Sequence, residues 1–345
     1  MKATNDIYKQ SFSFPSGTVQ CLFDISFDEQ FPSPSVIITD ENVFAFHQNK
    51  FSNTKTIVVP AGEEAKTQAT VDYIINQLID LEISKEDTLL GVGGGVVSDL
   101  AGYAAAIYKR GMKLQLMPTT LLGMIDAGLG GKNGVNVGRY KNMVGTIYQP
   151  EKIWFCYDFL TTLPVHEWRS GMAEMIKHAC IADEQMFDML EKIQLEDIMG
   201  DFKKLNELVQ RNVKIKMDIV EQDELDKSDR HLLNFGHTFG HAIEKLLGIT
   251  HGSAISIGMV CACRVSEKLI GLHNSQTQRI LNLLEHYLLP LESNANSEKL
   301  FELLVKDKKR VGDDIHFVLL PQIGQAKTQI IPLSYLHQNI KEILR

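Results

Sequence analysis

A chain of 345 residues exceeds the usual size of one domain, so two domains sharing a cleft is the first expectation. With 44% hydrophobic and 23% charged residues, it has ordinary soluble globular composition and enough length to bury a real core. The formal net charge of −8 argues against a nucleic-acid partner, since phosphate backbones need a basic face, but it leaves room for a local cationic pocket around a small anion.

The first residues, MKATNDIYKQSFSF, contain no apolar stretch of the kind a secretory signal needs. No run of about 18 apolar residues follows anywhere, so no membrane span is expected. Five scattered cysteines, Cys21, Cys156, Cys180, Cys261 and Cys263, suit reduced thiols in a cytoplasmic protein better than a disulfide framework.

Ser35–Thr39 and Thr56–Pro60 are short β-branched runs that read as buried parallel strands. Thr67–Leu81 sets Val71, Ile74, Ile75, Leu78 and Ile79 on one helical face. Thr88–Val92 reads as a strand running into Gly93-Gly94-Gly95, followed by a helix over Val96–Tyr108 and a strand over Leu114–Met117 stopped by Pro118. Strands alternating with helices at this spacing predict an α/β unit, a Rossmann-like parallel-sheet domain. Beyond Phe159 the pattern changes: Glu167–Leu190, Asp201–Gln222, His231–Leu247 and Ser253–Leu272 read as helices, with one strand pair at Ile315–Leu320 and near Ile330. The expected organisation is therefore residues 1–158 as an α/β domain and residues 159–345 as a mainly α-helical one, with the chemistry in the cleft between them.

Gly91-Val-Gly-Gly-Gly-Val-Val-Ser-Asp99 joins a strand to a helix. Glycines at such a turn let the backbone approach a pyrophosphate, and the helix start favours its charge. The run lacks a true G-x-G-x-x-G, because Val96 occupies the third glycine position, and a tight turn needing positive φ is the competing reading. In the helical half, His237 and His241 lie four apart on one face, with His251 shortly after, and Glu174 shares a helical face with Lys177 in an apolar stretch. Two or three histidines plus a carboxylate match an open zinc site. Thr238, not Glu, follows the first histidine, so this is not a metalloprotease helix. A hydrogen-bonded core role for each histidine, and a surface role for Lys177, remain the alternatives that spacing cannot decide.

Taken together, Gly93-Gly-Gly-Val-Val-Ser-Asp-Leu-Ala-Gly102, Tyr108-Lys-Arg-Gly111, Pro118-Thr-Thr-Leu-Leu122, Asp126 with Gly130-Gly-Lys-Asn-Gly-Val-Asn136, Lys141-Asn-Met-Val-Gly145, Ser170–Lys177, Leu233–Glu244, His251-Gly252 and Asp307-Lys308-Lys309 resemble the 3-dehydroquinate synthase family, from about Thr39 to Leu320. The resemblance implies a zinc ion, with cobalt as the alternative, on Glu174, His237 and His251. It implies NAD+ contacts at Asp40, Asn42, Glu63, Lys66, Gly93, Gly94, Gly95, Asp99, Thr119, Thr120, Lys141, Phe159, Thr162 and Leu163. Substrate and catalytic positions fall on Asp126, Lys132, Asn142, Lys177, Lys216, Arg230, Asn234, His241 and Lys308. Arg110 matches a phosphate-binding arginine that, in the family, reaches in from the neighbouring subunit of a homodimer.

The substrate so implied, 3-deoxy-D-arabino-heptulosonate 7-phosphate, carries a carboxylate and a phosphate. Lys132, Arg110, Lys308, Asn142 and His241 would grip the phosphate through charge-assisted hydrogen bonds, and Arg230 and Lys216 the carboxylate. The metal would bind vicinal hydroxyls as a Lewis acid while NAD+ takes and later returns a hydride, so that phosphate leaves and an aldol step closes the carbocycle. Ser98, Asn133 and Ala127-Gly128 depart from the commonest family pattern. The rival readings are a sister sugar-phosphate cyclase making an inosose or a valiolone, which would not need Arg230 and Lys216, a glycerol-dehydrogenase-like enzyme, and a non-catalytic protein that kept the fold.

Overall fold

The computed structural model describes residues 8–27, 33–138, 140–305 and 310–344. The chain forms two compact units, Met1–Glu167 and Trp168–Arg345.

The first unit is built on a seven-stranded sheet, ordered β1-β2-β9-β6-β5-β3-β4. β1 (Tyr8–Phe14) and β2 (Gly17–Phe23) form an antiparallel hairpin at one edge. β3 (Val36–Asp40), β4 (Thr56–Val59), β5 (Thr88–Gly93), β6 (Lys113–Pro118) and β9 (Lys152–Phe155) are parallel. These strands are buried on both faces, which is why they read as continuous apolar runs. Val36, Ile38, Leu89, Leu114 and Leu116 join one core cluster, while Ile37, Leu90, Val92 and Met117 join the other. The helix Gln68–Asp80 is capped by Thr67, whose hydroxyl accepts from the Thr70 N–H at 3.2 Å, and it buries Val71, Ile74 and Leu78. Strands β7 (Lys132–Val137) and β8 (Tyr140–Ile147) form a separate antiparallel pair.

The second unit is mainly helical, with a three-stranded antiparallel sheet of β10 (Arg310–Val311), β11 (Asp314–Gln322) and β12 (Gln325–Pro332). Two expected helices are each divided. Glu167–Leu190 is two helices, Val165–Ala182 and Glu184–Leu190, because Asp183 leaves helical geometry to cap the second with its carboxylate. His231–Leu247 is a short 3-10 turn, Asp229–Asn234, and a helix His237–Leu247, separated where Gly236 takes φ 78°. The helix His251–Ile270 is buried along most of its length and includes Cys261 and Cys263 among its buried residues. Among the described residues, no helix is long and apolar enough to cross a membrane.

Candidate active site

In the first unit, β5 ends at Gly93 and the helix Gly95–Ile107 begins after an N-cap glycine, Gly94, that offers no side-chain cap. A Cβ on Gly95 would lie 2.9 Å from the Ala127 Cβ, and one on Gly94 would lie 3.1 Å from Thr120 Cγ2. Close packing thus requires these glycines, and the uncapped helix start is the kind of end that attracts an anion. Thr119 runs alongside, donating its N–H to the Gly93 carbonyl at 3.0 Å, and Thr120 Oγ1 accepts from Gly123 at 2.9 Å. The departures at this turn have local roles. Ser98 Oγ donates to the Gly94 carbonyl at 3.2 Å. Asn133 Nδ2 donates to the Gly131 and Tyr148 carbonyls at 2.7 and 3.0 Å, and its side chain rests against Gly102.

A chain of polar contacts joins several predicted residues of this unit. Lys66 is 5% exposed; its ammonium pairs with Asp99 and donates to Asn142 Oδ1 at 2.6 Å. Asn142, at φ 52°, donates its N–H to Asn136 Oδ1 at 2.9 Å. Asn136 in turn donates through Nδ2 to Glu63 Oε1 at 2.8 Å, and through its backbone to the Lys66 carbonyl at 2.9 Å. Elsewhere in the unit, Asp40 caps the helix Glu41–Phe51, accepting from Asn42 at 2.9 Å and Val43 at 3.0 Å. Burial pushes its carboxyl above the ordinary value against the opposing effect of those bonds. Phe159 is buried, and Leu163 closes its turn by donating to the Leu160 carbonyl at 3.1 Å. Thr162 Oγ1 meets His47 Nε2 at 3.0 Å. Lys132, Lys141 and Arg110 are exposed, Arg110 at φ 63°, and Asp126 is partly buried in the turn Gly123–Ala127.

In the second unit, Glu174 is completely buried on the helix Val165–Ala182. Its Oε1 lies 3.2 Å from His251 Nε2 and 3.5 Å from His237 Nε2. Its Oε2 faces the Lys177 ammonium at 2.5 Å. Lys177 is itself 1% exposed, so the surface-lysine reading is overturned. Burial pushes the Glu174 carboxyl up, but the Lys177 ammonium and the two imidazoles outweigh it and hold the group well below the ordinary range. His251 is held at about 10, burial pushing it down and hydrogen bonds to Glu174 and Glu244 pushing it up more strongly.

The donor set fits a divalent ion. One ligand atom each from Glu174, His237 and His251 lie within 4.8 Å of one another. Each imidazole has its other nitrogen engaged: His237 Nδ1 donates to the Phe235 carbonyl at 3.1 Å, and His251 Nδ1 lies 3.2 Å from Glu244 Oε2. Both Nε2 atoms therefore face the same carboxylate, the arrangement that second-sphere hydrogen bonds impose on metal-binding histidines. The spacing comes from backbone contact. A Cβ on Gly258 would lie 2.8 Å from the Gly240 N, and one on Gly236 2.9 Å from the Met259 N, so helices His237–Leu247 and His251–Ile270 touch main chain to main chain. Gly252 approaches Ser170 in the same way.

His241 is exposed, its ring 5.0 Å from that of His237. Lys216 and Arg230 are 6% and 3% exposed. Lys216 is buried with Asn212 in the mainly apolar stripe of the helix Phe202–Gln222, and Arg230 donates to the Glu224 carbonyl at 3.0 Å. Asn234 ends the 3-10 turn before Gly236. Lys308 lies outside the described residues. Asn136 and Glu244 stand in the motifs that carry the resemblance but are given no role there, and His47 carries no signal. Glu244 follows His237 by two helical turns on one face, a spacing that could have found it.

The chain matches the models of the 3-dehydroquinate synthase N-terminal domain over residues 56–170 and of the C-terminal domain over residues 171–310. A 3-dehydroquinate synthase of Campylobacter concisus (strain 13826) is 38% identical over 319 residues, covering 90% of each chain. That of Methylacidiphilum infernorum (isolate V4) is 39% identical over 275 residues, 78% of this chain and 75% of the relative. Among solved structures, a 2-deoxy-scyllo-inosose synthase complexed with carbaglucose-6-phosphate, NAD+ and Co2+ superposes with a TM-score of 0.85 at 24% identity, over 97% of this chain and 100% of that one, a likeness of fold. By both of its halves and by its similarity to these relatives along most of its length, the chain belongs to the 3-dehydroquinate synthase family.

Proposed function

We propose that the chain converts 3-deoxy-D-arabino-heptulosonate 7-phosphate to 3-dehydroquinate and phosphate, a lyase reaction in aromatic amino-acid biosynthesis, with recycled NAD+ and a divalent ion, zinc or cobalt. The observation that carries the reading is the buried Glu174–His237–His251 group with Lys177 on its carboxylate, in a chain of this family. Bound together, the two cofactors supply a reversible hydride acceptor and a Lewis acid for vicinal hydroxyls.

Residues 1–158 are assigned to the dinucleotide. Gly93, Gly94 and Gly95 admit the pyrophosphate at the uncapped helix start, flanked by Thr119 and Thr120. Asp40, Asn42, Glu63, Lys66, Asp99 and Lys141 join them, with Phe159, Thr162 and Leu163 from just beyond this range, and Asp126 is kept as a catalytic group. Lys132, Asn142 and Arg110 are assigned to the substrate phosphate; the exposed cations Lys132 and Arg110 are free of the burial that would penalise a charge.

Residues 159–345 carry the metal group and the remaining substrate residues. Glu174 stays ionised beside the Lys177 ammonium, and His237 and His251, each held through Nδ1, would offer Nε2 to the ion. Lys177 can then donate toward a substrate hydroxyl, His241 toward the phosphate, and Asn234 orient the sugar chain. Lys216 and Arg230 are assigned to the carboxylate; both are buried cations, whose desolvation an anionic ligand would offset.

The enzyme acts in this reading as a cytoplasmic homodimer on a small-molecule sugar phosphate, with no nucleic-acid or membrane partner. Five buried, unpaired thiols support a reducing compartment. The exposed apolar side chains Val137, Tyr140, Met143, Val144 and Ile147, on both sides of the β7–β8 pair, support a covered surface there.

The test is phosphate release from the heptulosonate phosphate with catalytic NAD+, with and without a chelator. One chelator-sensitive phosphate per substrate, without accumulating NADH, is the expected result. Release only from a carboxylate-free sugar phosphate would make the chain a sister cyclase instead, and stoichiometric NADH would make it a dehydrogenase.

A further inference from the structure

The two candidate histidine ligands are held by unlike groups. His237 Nδ1 donates to a neutral peptide carbonyl, that of Phe235, whereas His251 Nδ1 lies 3.2 Å from a carboxylate oxygen of Glu244. Glu244 is largely buried, its side chain 15% exposed, and it stands on the helix that begins with His237. One helix therefore carries a candidate ligand and, two turns on, the group that orients the other ligand.

His251 opens the helix His251–Ile270, where Thr250 supplies no side-chain cap. Its ring orientation is fixed by what its two nitrogens meet, Glu244 on one side and Glu174 Oε1 at 3.2 Å on the other. A carboxylate that accepts from Nδ1 selects the tautomer whose lone pair is on Nε2, and it makes that nitrogen a stronger donor to a cation. A carbonyl fixes the tautomer of His237 without adding charge.

We propose that Glu244 is a positioning residue of the metal centre, which holds the His251 ring and strengthens it as a ligand. The inference rests on the reading that Glu174, His237 and His251 hold the divalent ion. The charges agree with it: the Lys177 ammonium already engages Glu174, so the Glu244 carboxylate supplies negative charge that a dication at this site would otherwise lack.

The experiment measures zinc affinity of the full chain, stripped of metal and titrated against a chromophoric chelator, for the wild type, Glu244→Gln, Glu244→Ala and His237→Ala. Glu244→Ala is expected to weaken zinc binding about 10- to 100-fold. Glu244→Gln, whose amide oxygen still accepts from Nδ1 but carries no charge, is expected to fall between that variant and the wild type. Gln is nearly isosteric, so Glu244→Gln keeps the test valid if the alanine variant does not fold. A shift of the visible bands of the cobalt-loaded protein in Glu244→Gln would report an altered ligand field, which a purely structural role would leave unmoved. Wild-type zinc affinity in both Glu244 variants overturns the proposal. Wild-type affinity in His237→Ala overturns the underlying assignment of the metal site, a separate result from the Glu244 measurements.

Discussion

The Lys66 ammonium donates to Asn142 Oδ1 at 2.6 Å while it pairs with the Asp99 carboxylate. A residue assigned to the cofactor is thus tied directly to one assigned to the substrate phosphate. Lys66→Met keeps most of the buried stem and removes the charge. The expected outcome is a loss of about 1–3 kcal/mol in urea unfolding, the cost of removing the ammonium that pairs with Asp99 and bonds Asn142. NAD+ affinity measured by calorimetry should fall with it; unchanged affinity would remove Lys66 from the cofactor site.

Lys132 is exposed at the start of β7, so its removal should leave the fold untouched. If it grips the phosphate, Lys132→Ala should lower kcat/KM by about 10- to 100-fold, the size of one charge-assisted hydrogen bond. Zinc content should stay at the wild-type level. Steady-state kinetics equal to the wild type would exclude Lys132 from the site.

Lys177 lies 2.5 Å from the fully buried Glu174. Removing one member of a buried ion pair costs up to about 3–5 kcal/mol, less where other cations remain, and His251 stays beside Glu174. Lys177→Ala should show that loss in the metal-free protein and a smaller one with zinc present, since the cation would then neutralise Glu174. Equal losses with and without zinc would contradict a metal bound at Glu174.

Arg211 grips Asp183, donating through its second terminal nitrogen at 2.9 Å, while Asp183 caps the helix Glu184–Leu190. Burial pushes the Asp183 carboxyl up, but Arg211 and the backbone N–H of Met186 more than offset it, leaving it below the ordinary value. A depressed folded-state pKa gives stability that is present above the unfolded value and is lost as pH falls through the folded one. Arg211→Ala should therefore lower the urea midpoint at pH 7 by more than it does at pH 3. A pH-independent difference would refute this origin.

All five cysteines are buried and unpaired. Burial pushes Cys156 and Cys261 up to about 12, and Cys21, Cys180 and Cys263 are also raised by burial. The thiolate is the reactive form, and burial keeps these groups as protonated thiols at pH 8. Ellman's reagent should titrate no thiol in the native protein and five after denaturation. A rapidly reacting native thiol would show that one of these segments opens.

The strands of the parallel sheet could be read from their apolar runs because burial on both faces leaves an unbroken signal, as in Thr88–Gly93. The β7–β8 pair escaped because its strands bury little: nearly every residue of Tyr140–Ile147 is exposed, so no alternation marks it. The break at Gly236 was hidden by histidines and leucines that keep helical spacing on both sides of it. At the candidate site, residue type brings forward Glu174, His237, His241 and His251 together, and only the family resemblance singles out Glu174, His237 and His251 as a ligand set. Asn136 could not be found by type, since its importance lies in bonding to Glu63 and Lys66 on one segment and to Asn142 on another, which only the fold assembles.

The main-chain contact at Gly236, Gly240 and Gly258 also bears on transplantation. Two of the three candidate donors belong to one helical hairpin whose connection is only Gly248–Thr250, and their separation is set by the backbone rather than by side-chain volume. A graft that copied the donors alone onto other helices would inherit a wider spacing, because any side chain at those glycines pries the helices apart. The portable unit is the glycine-lined hairpin as a whole, with a third helix brought up against Gly252 to deliver the carboxylate.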